Sequence, residues 1–290
     1  METYQAELIF KAEAELAEGP VWHEEDNCLY WVNINLGELH RFNPTSGKDT
    51  AVTVGEAIGT FAFRKDGGII AALKSGIYRL DETENGLKKT LMVDPEPHTP
   101  NRFNDGKCDP YGRFLAGTMG MKGDAAFYSI DPAGGCRTLI DRVKISNGLG
   151  FSPDRKILYY TDSCTQTIMA YDYSQSGELS NPRPTAVIDE TSGMPDGMTV
   201  DANGNLWIAL FGGGMVLCLE PFTGKILAEV KVPAKKVTCC TFGGSDYGTL
   251  YITTAWENSS SQQRREDPFG GSLFAANAGV TGMPAFRFGK

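Results

Sequence analysis

The sequence predicts an all-β fold, a six-bladed β-propeller with four antiparallel strands per blade, on three observations. A weak motif recurs six times along the chain. Its copies start about 41 to 49 residues apart, a period that suits one four-stranded blade. Strand and tight-turn signals fill the remaining length, and no stretch reads as a long amphipathic helix.

The copies begin at Glu18-Gly-Pro-Val-Trp, Gly59-Thr-Phe-Ala-Phe, Asn104-Asp-Gly-Lys-Cys, Asn147-Gly-Leu-Gly-Phe, Asp196-Gly-Met-Thr-Val and Cys239-Cys-Thr-Phe-Gly. A turn rich in Gly, Asp or Asn follows most of them, as in Lys65-Asp-Gly-Gly, Pro110-Tyr-Gly, Pro153-Asp-Arg-Lys and Ala202-Asn-Gly-Asn. Gly and Asn tolerate the positive φ that tight hairpins need. A run of β-formers comes next: Cys28-Leu-Tyr-Trp-Val-Asn, Ile157-Leu-Tyr-Tyr-Thr-Asp and Asn205-Leu-Trp-Ile-Ala-Leu are examples. A third strand then leads to a further turn, such as Asn43-Pro-Thr-Ser-Gly or Glu220-Pro-Phe-Thr-Gly. Gln5 to Ala14 is strand-like and precedes the first copy, so it is expected to close the ring by pairing into the last blade. Trp256 to Phe269 is too hydrophilic for a core and reads as a flexible rim loop. Residues 1–290 are thus read as a single propeller domain.

Composition narrows the function classes. The formal charge of -9 and the lack of a basic cluster argue against nucleic acid and anionic membranes as partners. No basic n-region opens the chain, and no run approaches the ~18 apolar residues of a membrane span. A cytoplasmic location is expected. The seven cysteines form no Cys-x-x-Cys pair and mostly sit in strand-like runs, so they read as reduced, packed thiols. His40 lies mid-strand and reads as structural. No nucleophile elbow, P-loop or dinucleotide fingerprint occurs, and Gly212-Gly-Gly214 reads as a hairpin bend.

A propeller brings one phase of each repeat to the central channel. Here that phase carries Glu18, Asn104, Asn147 and Asp196. Alone, Glu18-Gly, Asn147-Gly and Asp196-Gly are ordinary turn pairs. Turn chemistry does not require them to fall at equivalent points of different repeats. Glu18, Asn147 and Asp196 together offer hard oxygen ligands for one divalent cation, Ca²⁺, Mg²⁺ or Mn²⁺, with Zn²⁺ also compatible with carboxylates. Arg102 and Asn104 follow the Pro-rich run Pro95 to Pro100 and supply hydrogen-bonding groups for an oxygen-rich ligand.

The segments Leu16-Ala-Glu-Gly-Pro-Val-Trp22, Asn101-Arg-Phe-Asn-Asp-Gly-Lys107, Phe114-Leu-Ala-Gly-Thr-Met119, Ile145-Ser-Asn-Gly-Leu-Gly-Phe-Ser-Pro-Asp154 and Pro195-Asp-Gly-Met-Thr-Val-Asp201 as a set resemble the regucalcin/gluconolactonase (senescence marker protein) family, over essentially the whole chain. The resemblance implies a metal-dependent lactonase that hydrolyses a sugar lactone to the aldonic acid. It implies metal ligation by Glu18, Asn147 and Asp196, and substrate contacts from Arg102 and Asn104. Asp196 is also implied as the catalytic base, with a hydroxide held on the cation as the competing nucleophile. Some family members place an acidic residue after the Gly-Thr-Met stretch. Met119-Gly-Met-Lys-Gly-Asp124 departs from that pattern, which bears on substrate choice. The expected partner is a small sugar lactone, and the expected assembly a monomer or weak homo-oligomer. A phosphotriesterase-like hydrolase and a non-catalytic calcium-binding propeller are the alternative functions for the same constellation.

Overall fold

The computed structural model describes residues 1–84 and 86–290. Six small antiparallel sheets stand around a central channel as the blades of a β-propeller. The innermost strands are Ala17–His23, Ile58–Phe63, Arg102–Cys108, Ser146–Phe151, Met194–Val200 and Val237–Gly243. All six motif starts fall within them. From each, the chain moves outward through successive hairpins, so the six innermost strands are parallel repeats with their N-terminal ends at one channel mouth.

The hairpins form where the sequence provides for them. Gly67, Gly112 and Gly204 adopt φ of 89°, 86° and 89° in the turns that leave three innermost strands. Arg155 takes φ 64° in the corresponding turn of blade four, without glycine. Asp201 ends the innermost strand of blade five and accepts from Asn203 N and Asn205 N, each at 2.9 Å, and from Trp207 Nε1 at 3.0 Å. A fully buried carboxylate is tolerated there because donors surround it. The Trp207 ring then meets Phe242 of blade six edge-to-face at 5.7 Å. Trp207, Phe242, Ile252 and Phe274 belong to one apolar cluster joining blades five and six. Contacts of this kind, between blades, bury the faces that a lone four-stranded sheet would leave wet.

Closure of the ring follows the expected route. Glu7–Phe10 pairs antiparallel with Leu273–Asn277, completing blade six from both chain ends. Blade five departs from four strands: Glu2–Gln5 adds to it as a fifth, parallel to Ile226–Lys231. The C-terminal segment crosses the face opposite the mouth. Thr281 O accepts from Ala202 N at 2.8 Å, Gly282 N donates to Tyr247 O at 2.9 Å, and Phe288 N donates to Phe63 O at 2.9 Å. Trp256 to Phe269 is not a simple loop, since Ser261–Glu266 forms a short helix with a Ser260/Gln263 capping box. Among the described residues no helix is long and apolar enough to cross a membrane.

Removing residues 1–11 should therefore strip two blades of their covering strands. With each ladder hydrogen bond worth a net ~0.5–1.5 kcal/mol, the loss should lower the thermal midpoint by ~10 °C or more and promote self-association through the bared edges. Calorimetry and size-exclusion chromatography of the truncated chain check this, and an unchanged midpoint would contradict the closure role.

Candidate metal centre and active site

Every innermost strand breaks register with its neighbour near the mouth. The shifts lie between Glu18 and Val21, Ile58 and Thr60, Phe103 and Gly106, Asn147 and Leu149, Pro195 and Met198, and Val237 and Cys239. Bulges re-aim side chains, and here they turn consecutive polar residues into the axis. Glycine accompanies them because the strands nearly touch: a Cβ on Gly148 would lie 2.3 Å from Asp196 O, and one on Gly197 would lie 2.3 Å from Cys239 Sγ.

The structure brings Glu18, Asn104, Asn147 and Asp196 together at the mouth, and all four are buried. Glu18 Oε2 accepts from Gly19 N at 2.5 Å. Asn147 Oδ1 accepts from Gly148 N at 3.1 Å while its Nδ2 donates to Ser163 Oγ at 3.0 Å. The Asn147 amide beside Asp196 favours the ionised form of that carboxyl. Asn104 spans two blades, donating through Nδ2 to Ser146 O at 2.9 Å and accepting from Arg102 Nη1 at 2.8 Å. Arg102 Nη1 also donates to Phe103 O at 3.0 Å, so Asn104 aims the guanidinium as well as lining the mouth.

One residue that sequence reasoning passed over belongs to this group. Asp105 lies in the blade-three bulge and is 3% exposed. Its Oδ1 accepts from Gly106 N at 2.7 Å, and its Oδ2 has no hydrogen-bond partner. Asp-Gly reads as a turn in sequence, and only the bulge turns it inward. Lys107, two residues on, donates to Met198 O at 2.7 Å and offsets part of the negative charge.

Burial raises the Glu18 carboxyl to about 8, and the Asp105 charge adds to the effect. Burial also raises Asp196 well above the usual carboxylate range, with the Glu18 charge as the next cause. Two buried carboxylates that repel one another, with an amide oxygen beside them, form a site short of one positive charge. That donor set fits a hard divalent cation. Among the described residues no group of three or more His, Cys, Asp or Glu side chains could hold an ion. A centre here therefore depends on the Asn147 oxygen as third ligand.

The other half of the channel is chemically different. A cavity of about 110 Å³ is lined there by Phe61, Asp105, Lys107, Leu149, Val200 and the strap residue Phe286. Glu18, Asn147, Asp196 and Arg102 do not line it. His40, expected to be structural, stacks on Trp31 at 3.7 Å and contacts Asp49 at 2.7 Å, away from the channel. Five cysteines are buried free thiols, whereas Cys136 and Cys164 are exposed. Met119–Asp124 forms a turn with Met121 68% exposed, so it offers no carboxylate at its tip.

The raised Glu18 carboxyl sets a pH dependence. Its stabilising contribution is full below its unfolded value of 4.5 and is lost as pH rises through about 8. Metal-free protein should accordingly lose thermal stability from about pH 5 to about pH 8.5, and a divalent cation should restore more of it at the higher pH because binding displaces the protons. Glu18→Gln should flatten this dependence and weaken metal affinity while preserving the fold. Melting curves with and without chelator, with calorimetric metal titration, check both. Unchanged metal affinity in the variant would leave Glu18 as a turn residue only.

Comparison with known proteins agrees with this architecture. The SMP-30/Gluconolactonase/LRE-like region profile matches residues 16–256. The protein named "Putative sugar lactone lactonase YvrE" of Bacillus subtilis (strain 168) is 42% identical over 279 residues, covering 95% of each chain. Regucalcin of Danio rerio is 37% identical over 295 residues, covering 99% of each. The crystal structure of a calcium-binding protein, regucalcin, from Agrobacterium tumefaciens strain C58 superposes with a TM-score of 0.92 at 27% identity, covering 100% of this chain and 99% of that one. On the profile match and these full-length relatives, the chain belongs to the SMP-30/gluconolactonase/LRE-like family.

Proposed function

We propose that the protein is a divalent-metal-dependent lactonase that opens a sugar lactone at the channel mouth. The family supports a lactonase-type activity. The observation that carries the finer reading is the charge-deficient group of Glu18, Asp196 and Asn147 with the half-buried Arg102 beside it. Glu18, Asn147 and Asp196 would hold the ion, whose chemistry is to polarise the lactone carbonyl as a Lewis acid.

The remaining work falls to the side chains. Arg102, aimed by Asn104, donates to ring oxygens and orients the lactone. Glu18, Asn147 and Asp196 are themselves buried, which limits their contact with bulk water. Asp196 takes a proton from an attacking water as its oxygen bonds to the carbonyl carbon. The ring C–O bond then breaks, and the same proton passes to the leaving ring oxygen. The product is the open-chain hydroxy acid, and its carboxyl ionises in water. Burial makes Asp196 a stronger base than a solvated carboxylate, while a neighbouring cation opposes that shift.

A panel of sugar lactones and phosphotriesters, assayed after chelation and after each metal is returned, tests the reading. Lactone hydrolysis should vanish on chelation and recover with metal, and phosphotriester turnover should stay minor. A protein that binds calcium but hydrolyses neither class would instead be a binding propeller. Arg102→Ala should lower kcat/KM roughly ten- to a hundred-fold with little change in metal affinity. Asp196→Asn, assayed at metal concentrations shown by titration to be saturating, should stay ~10²–10⁴-fold slow. Recovery to the wild-type rate would remove Asp196 as the base.

A further inference from the structure

We infer that Glu96 is a positioning residue for Arg102: its carboxylate ties the proline-rich arm before Arg102 to the second and third strands of blade three, and so fixes where the guanidinium points. The inference deepens the lactonase reading and rests on the substrate-orienting role given there to Arg102.

The arm, residues 94–101, joins the outermost strand of blade two, Gly86–Val93, to the innermost strand of blade three, Arg102–Cys108. Pro95, Pro97 and Pro100 lack the N–H that a ladder needs, and His98 takes φ 67°. The arm pairs with no strand among the described residues, so its hold comes from side chains. Glu96 supplies it. The half-buried carboxylate meets three buried donors. Oε1 accepts from Thr118 Oγ1 at 2.6 Å and from Tyr128 OH at 2.8 Å, and Oε2 accepts from Asn101 Nδ2 at 2.8 Å. The other acceptors near Thr118 and Asn101, Ala126 O at 3.2 Å and Asp124 O at 3.4 Å, are more distant. Short bonds to a charged acceptor are the stronger ones. A carboxylate accepts from all three donors, whereas Gln would place an NH₂ group against at least one of them.

Both oxygens of this carboxylate lead to Arg102. Asn101 precedes it in the chain. The Asn101 side chain is wedged, since a Cβ on Gly120 would lie 2.2 Å from Asn101 Oδ1. Lys74 of blade two adds a second clamp, donating through Nζ to Pro100 O at 2.7 Å and to Asn101 O at 2.9 Å. Thr118 is the ladder partner of Phe103, whose carbonyl accepts from Arg102 Nη1 at 3.0 Å. Glu96 thus fixes the backbone that enters Arg102 and the strand beside the carbonyl that its guanidinium uses. The register shift after Phe103 leaves this stretch with less ladder support, so its placement depends on side chains. Glu96 makes no hydrogen bond to Arg102 among the described residues, and its effect passes through Asn101 and Thr118.

The test is a double-mutant cycle on a sugar lactone at saturating metal. Glu96→Gln should lower kcat/KM about ten-fold, mainly through KM. In the Arg102→Ala background the same change should cost less than about two-fold, because the side chain it positions is gone. Metal affinity by calorimetry should match wild type. Equal losses in the two backgrounds, or no loss in either, would overturn the positioning role. Should Glu96→Gln fail to fold, Tyr128→Phe, which removes one donor to the carboxylate, enters the cycle with an expected loss of about three-fold and the same requirement of non-additivity. Crystal structures of wild type and of the variant give a readout independent of activity. The Arg102 guanidinium should leave Phe103 O and Asn104 Oδ1 in the variant, and an unmoved guanidinium would reject the role. A wild type that hydrolyses no sugar lactone, or an Arg102→Ala variant with wild-type kinetics, would instead sink the substrate reading of this site, and the crystal structures then decide the positioning alone.

Discussion

Close approach of six strands to one axis is the constraint on which this molecule depends. An extended strand with a full set of Cβ atoms would hold its neighbours apart. Gly148 and Gly197 have no Cβ, and the space one would occupy is taken by Asp196 O and Cys239 Sγ. The register shifts near the mouth complete the effect. They release a few residues from the ladder, so side chains that would alternate along a flat strand point into a common space. Without that convergence, Glu18 and Asp196 would be surface acids some 178 residues apart in sequence.

Convergence has an electrostatic cost. Glu18, Asp105 and Asp196 are all buried, and each carboxyl holds its proton more tightly than usual, mainly because burial disfavours its charge. Arg102 and Lys107 offset part of this from blade three. The remainder is a site poised to take up positive charge. Groups arranged in this way are costly for stability, and a cation that relieved the repulsion would couple its affinity to pH.

The two ends of the channel divide the labour. Polar bulges build the mouth. Aromatic and aliphatic residues, with Asp105 and Lys107, line the far half, where the C-terminal segment ties blades two, three, five and six together. The strap makes main-chain bonds to the outer ends of those strands and keeps Phe288 fully buried. Rigidity at that end helps hold the mouth residues in register, since each innermost strand runs from one to the other.

The architecture was legible from the residues because it is local and repeated. Gly and Asx turns, alternating β-formers and a constant period specify hairpins through short-range sterics, and all six motif starts fall in innermost strands. Polar residues at one phase pointed to Glu18, Asn104, Asn147 and Asp196, which do meet at the mouth. Three features were not legible. Asp105 reads as the first half of a turn until a bulge turns it inward. The fifth strand of blade five depends on where residues 2–5 land after the ring has closed. The hydrophilic stretch Trp256 to Phe269 reads as a loop, and its order comes from a helix and from contacts with distant residues such as Trp256 N to Glu15 O. The sequence by itself determined the blades, their number and the candidate oxygen ligands, since these follow from nearest-neighbour geometry and periodicity. Only the tertiary structure decided which further charges face the axis, because that depends on bulges and on contacts between residues distant in the chain.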